Sequence, residues 1–117
     1  MVQTERYEII FASLKNITFN LDFAVHSWIL AANKLYKETG IFVSAQMTEK
    51  MLVSKESSSL ERCIVATSTR NPMLIPNKDI FYKVLLLVAA EVKNDLNNPY
   101  TTISEFFINV SLFLREL

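Results

Sequence analysis

Nucleophilic chemistry in this chain would have to start from two residues, because the 117-residue sequence holds one histidine, His26, and one cysteine, Cys63. The simplest arrangement they offer is a thiolate activated by an imidazole, with Asp22 one helical turn before His26 to orient the ring. The opposing reading is that Cys63 is an ordinary buried thiol and that Asp22 and His26 form a surface pair. We adopt the second and assign no catalytic residue. Paired carboxylates do no better, since acid–base work needs two acids held in a cleft and Glu5 and Glu8 fall on a face predicted to be solvated.

Ligand cradles are equally scarce. A transition-metal centre needs converging His, Cys and carboxylate ligands, and no Cys-x-x-Cys or His-x-x-x-His spacing occurs. A calcium loop needs acids at alternate positions around a glycine. The chain has a single glycine, Gly40, whereas dinucleotide and P-loop phosphate sites need several close together so that bare backbone can approach the phosphate. The expectation is no cofactor and no metal.

Charge points away from polyanions. Twelve basic residues balance twelve acidic ones, and phosphate binding rests on clustered Lys and Arg that displace counterions. A helix-turn-helix with its turn near 54–59 and a recognition helix over 59–69, bearing Arg62 and Arg70, is kept as the alternative function, a small helical nucleic-acid-binding regulator. That helix would be short and would carry Glu61 among apolar neighbours.

The N-terminal residues place Glu5, Arg6 and Glu8 before any apolar run, unlike a secretory signal. The longest apolar run, 84–90, falls well below the roughly 20 residues that span a bilayer. One cysteine allows no internal disulfide, so a cytoplasmic, reducing location without membrane insertion is expected. The Asn-x-Ser/Thr triplets at Asn16 and Asn109 sit inside apolar periodic stretches and read as chance matches.

The elements that must position these side chains read as helices. Apolar residues at Ile10, Leu14, Ile17, Leu21, Ala24, Trp28, Ala31 and Leu35 recur at alternating four- and three-residue intervals. We divide them into helices over 4–18 and 21–38, with Asn20 capping the second and Lys37 and Gly40 ending it. Over 41–70 the pattern is ambiguous: Ile41, Val43, Ala45 and Met47 alternate like a strand, yet 45–52 are mostly good helix formers, and Ser58 and Glu61 have the spacing of a capping box. Two short helices are favoured there. Asn77 then caps a helix over 78–96 whose apolar residues cover most of its circumference, as a central buried helix requires. A last helix follows from Ile103, introduced by Thr102 and Glu105 as a second capping box.

The resulting expectation is an all-α, mainly helical single domain over 1–117, a compact bundle of five or six helices with 78–96 at its centre. The alternative is an α+β fold with a β-hairpin or small sheet within 41–70 flanked by helices. The terminal helix carries too many apolar residues for one small core to cover. Its side chains Phe106, Val110, Phe113 and Leu117 are therefore assigned to an interface with another protein, including a second copy of the chain. The function that follows is a non-enzymatic protein–protein interaction module, a small adaptor, assembly factor or inhibitor acting through an apolar helical face as a homodimer.

Overall fold

The computed structural model describes residues 1–12, 20–53, 55 and 61–111. Along these the chain forms β1 (Val2–Ala12), α1 (Leu21–Thr39), β2 (Gln46–Leu52), β3 (Glu61–Thr69), α2 (Lys78–Asp95) and β4 (Tyr100–Val110). The strands make one four-stranded antiparallel sheet in the order β2-β3-β1-β4, and both helices lie on one face of it. Interleaved βαβ units of this kind give a ferredoxin-like α+β fold. The expected all-α bundle is overturned.

The reason lies in β1 and β4, which occupy the stretches assigned to the first and last helices. In β1, Tyr7, Ile9 and Phe11 alternate onto the helix-covered face and are fully buried. Tyr7 and Phe11 also satisfy a four-residue spacing, so periodicity alone does not separate helix from strand here. The density of aromatic and β-branched residues decides for strand, and pairing on both sides completes it. Residues 13–18, which carried the rest of the predicted first helix, lie outside the described residues. In β4 the run from Tyr100 to Val110 is again rich in Thr, Ile, Phe and Val, and it pairs with β1 in continuous register from Ala12↔Tyr100 to Val2↔Val110. Thr102 and Glu105 are therefore strand residues facing opposite sides of the sheet, not a helix cap.

Over 41–70 the two short helices are replaced by β2 and β3, paired from Gln46↔Thr67 to Leu52↔Glu61. This is the hairpin kept as an alternative, but it is built into a sheet that also takes in both terminal strands. Glu61 begins β3, and Ser58, its supposed capping partner, lies outside the described residues.

The two helices keep their predicted ends. Asn20 accepts from the Phe23 backbone N–H at 2.7 Å, and Gly40, at φ 78°, donates its N–H to the Tyr36 carbonyl. A left-handed residue at that point is what glycine tolerates without strain. Asn77 accepts from the Ile80 N–H at 3.0 Å to start α2. The α2–β4 turn needs two more left-handed residues, and they are Asn97 and Asn98 at φ 63° and 55°, the side chain that tolerates this region best after glycine.

Helix α1 buries Ala24, Trp28, Ala31, Ala32 and Leu35, and α2 buries Phe81, Val84, Leu85, Val88, Ala89 and Val92, against Tyr7, Ile9, Phe11, Ile64 and Ala66 of the sheet. Trp28 is tied down by its indole N–H donating to the Val43 carbonyl at 3.0 Å. Helix α2 is not surrounded, as a central helix would be: Leu86 and Leu87 are 38% and 48% exposed on its outer side. No described helix is long and apolar enough to cross a membrane.

Candidate active site

The register of β1 sets Glu5, Tyr7, Ile9 and Phe11 on the helix side of the sheet. The first two are polar, and they sit at the end of the sheet where α2 begins. There Glu5 meets Arg70, the residue that follows β3. Arg70 Nε and Nη2 donate to the two Glu5 carboxylate oxygens at 2.7 and 3.2 Å, a bidentate pair with side-chain exposures of 8% and 7%. Arg70 Nη1 donates onward to the carbonyls of Ile75 and Pro76 at 2.9 and 3.2 Å. The Thr4 hydroxyl donates to the Arg70 carbonyl at 2.7 Å. The hydrogen bond to Glu5 holds the guanidinium firmly protonated. One buried side chain thus joins β1, the end of β3 and the two residues before the Asn77 cap, which fixes where the first two turns of α2 present Lys78 and Tyr82.

Next to this clamp lies a more open group. Strand pairing sets Glu105 of β4 directly opposite Tyr7. The Tyr7 hydroxyl donates to Glu105 Oε1 at 3.4 Å, and Lys78 Nζ lies 2.8 Å from the same oxygen. Phe107, two residues along β4 and on the same face, receives the Lys78 ammonium 4.7 Å from its ring centroid. Tyr7 packs against Tyr82 and Phe81 with ring centroids 5.4 and 5.8 Å apart. Burial, followed by the negative charges of Glu105 and Glu5, pushes the Tyr7 phenol well above its ordinary value, so it stays a neutral donor. The hydrogen bond to Glu105 likewise raises Lys78 and keeps it charged. The Glu105–Lys78 pair is only partly covered, at 35% and 40% side-chain exposure. A carboxylate beside an aromatic face is a cation site, and here the protein's own ammonium fills it.

A concavity lies elsewhere, between the outer faces of the two helices. It encloses about 450 Å³ between Leu30, Lys34 and Glu38 of α1 and Leu87, Glu91 and Asp95 of α2. It is already crossed by a Lys34–Glu91 ion pair and a Ser27–Asp95 hydrogen bond of 2.7 Å. Lacking any buried polar side chain left open to a ligand, it is a weaker site than the Glu105 group.

The residues singled out in the sequence are scattered. His26 is exposed on α1. Cys63 is buried on the opposite face of the sheet, with Ala12 and Val65, where burial raises its thiol. The sheet separates the two, so no thiolate–imidazole dyad exists. Arg62 pairs with Glu49 at 2.6 Å across β2 and β3 and Arg70 is the clamp, so neither belongs to a recognition helix. Glu5 and Glu8 face opposite sides of β1. Phe106 and Val110 project from β4 on the face away from the helices, Phe106 with the Arg6 guanidinium 5.4 Å from its ring centroid. Phe113 and Leu117 lie outside the described residues. Missed altogether were Tyr7, Lys78, Tyr82, Glu105 and Phe107. A strand reading of 100–110 would have exposed one signal, since it sets Glu105 on the same face as Ile103 and Phe107, an acid in an otherwise inward row.

Two solved structures share this fold over nearly the whole chain. A phage SAM lyase in the apo state is 13% identical with TM-score 0.67, covering 96% of this chain and 94% of that one. A phage SAM lyase in complex with S-methyl-5'-thioadenosine is 14% identical with TM-score 0.58, covering 95% and 93%. At these identities the likeness is one of fold. No curated protein matches the sequence significantly. The sequence model of one family, SAM lyase, matches residues 2–114. That match overturns the expectation of a non-enzymatic adaptor without a catalytic role: the chain belongs to the SAM lyase family.

Proposed function

We propose that this chain cleaves S-adenosylmethionine within the molecule, releasing S-methyl-5'-thioadenosine and the four-carbon amino acid remnant as homoserine lactone. The family match over residues 2–114 carries the reading, and the cation site at Glu105 and Phe107 supports it. The substrate is a sulfonium, and its leaving group becomes a neutral thioether. A carboxylate oxygen of the substrate attacks its own Cγ, the Cγ–S bond breaks, and its electron pair goes to sulfur. Carboxylate and sulfonium neutralise each other, the ammonium is untouched, and neither water nor a proton enters the balance.

Such a reaction brings its own nucleophile and needs no general base, which accounts for an enzyme without a Cys–His pair. What the protein must supply is a folded substrate conformation, since ring closure of an oriented chain gains most of its rate from proximity. It must also supply a surface poorer in water than solvent, because two opposite charges vanish on the way to products. Phe107 and Tyr82 provide that surface, with the buried Tyr7 ring packed behind Tyr82. Glu105 holds the sulfonium before reaction, and its grip weakens as the charge is lost. Glu105 therefore acts mainly on substrate binding. The same reading places the chain in the cytoplasm, where its substrate is made.

Incubating the protein with S-adenosylmethionine alone should yield S-methyl-5'-thioadenosine, and Glu105→Gln should raise KM about tenfold while lowering kcat less. An unchanged KM in that variant would remove Glu105 from the site, and no thioadenosine from the unaltered protein would end the lyase reading.

A further inference from the structure

Lys78 is the first residue of α2, directly after the Asn77 cap. That is where a positive charge is disfavoured, since the N-terminus of a helix already carries partial positive charge. Asp79 beside it is the residue a first turn prefers. Helix stability therefore does not explain a lysine here. Its ammonium reaches instead to two groups of β4, Glu105 Oε1 at 2.8 Å and the Phe107 ring centroid at 4.7 Å. These are the groups that a sulfonium would use. A sulfonium and an ammonium both carry one positive charge, and one carboxylate–ring pair of this size cannot serve both.

We propose that Lys78 is a built-in occupant of the sulfonium position, displaced when substrate enters and restored when product leaves. The inference rests on the lyase reading and adds a regulator to the same site. With the site empty, Lys78 neutralises Glu105 and stands over the Phe107 ring. Substrate replaces one cation by another, so Glu105 is never left bare. The thioether product carries no charge on sulfur, so Lys78 regains its place without competition from a sulfonium, which speeds release. The pair is partly exposed and therefore weak enough to exchange. The Arg70 clamp holds the backbone just ahead of Lys78, so its long side chain moves while its root stays fixed.

The test compares Lys78→Met and Lys78→Arg with the unaltered protein, using S-adenosylmethionine turnover and calorimetric binding of S-methyl-5'-thioadenosine. Removing the occupant in Lys78→Met should lower KM about two- to fivefold and tighten thioadenosine binding by a similar factor, with kcat falling where release limits turnover. Lys78→Arg should keep both values near those of the unaltered protein. A damaged fold cannot imitate tighter binding. An unchanged or raised KM in Lys78→Met, with the unaltered protein active, overturns the role of Lys78 and leaves the lyase reading standing. Failure of the unaltered protein to cleave S-adenosylmethionine overturns the lyase reading instead. In that case equal thioadenosine affinity in both proteins also overturns the occupant.

Discussion

Replacing Arg70 with Met should be among the most damaging single changes the described part of the chain can suffer. It removes the counter-charge that, among the described residues, contacts the Glu5 carboxylate, whose side chain is 7% exposed. It also strips the Ile75 and Pro76 carbonyls of their donor at 2.9 and 3.2 Å. Breaking a buried ion pair from one side costs about 3–5 kcal/mol, because the remaining charge stays out of water. Set against a typical total of about 5–15 kcal/mol for a domain of this size, the loss takes a large share of the stability. Urea unfolding at pH 7.5 reads the loss, and the double variant Glu5→Gln with Arg70→Met should recover part of it, because no charge is then left buried without a partner. A loss below about 1 kcal/mol would refute the assignment of this pair as the clamp that anchors the start of α2.

Other outcomes follow from the same structure. Stability should fall as pH rises above about 10, because the Tyr7 phenol is raised in the folded state while the unfolded chain ionises at the ordinary value. Tyr7→Phe should flatten that slope, as seen in chemical denaturation between pH 8 and 11. Gly40→Val should cost about 1 kcal/mol or more, whereas Gly40→Asn should cost less. The space around a Cβ at Gly40 is open, so thermal unfolding of the two variants measures backbone conformation rather than a clash.

Much of the helical layer was legible in the sequence. Asn20, Gly40 and Asn77 act locally, through hydrogen bonds within a few residues, and local signals survive without knowledge of the fold. The sheet was not legible, for a definite reason. In β1 and β4 the apolar residues fall on both faces, as Ile9 with Ile10 and Phe106 with Phe107 show. The alternation that marks a half-buried strand was therefore blurred, and helical spacings could be drawn through it. Propensity carried the better information, since both segments are rich in β-branched and aromatic residues.

The site was hidden for two further reasons. Tyr7 and Glu105 are 98 residues apart and meet only because β1 and β4 pair, so no sequence window contains them both. The proposed chemistry leaves no spaced motif, since a substrate that supplies its own nucleophile asks the protein for a cation site and an aromatic wall rather than a triad. Cys63 and His26 belong to a pattern that the proposed reaction does not use.

Isotope-labelled water separates the proposed attack by the substrate's own carboxylate from attack by solvent. S-Adenosylmethionine should be turned over in water enriched in oxygen-18 and the products followed by mass spectrometry from the earliest times. Intramolecular attack predicts S-methyl-5'-thioadenosine and homoserine lactone in equal amounts, with no label in the lactone. Labelled homoserine as the first four-carbon product, or substrate that survives unchanged, would contradict it.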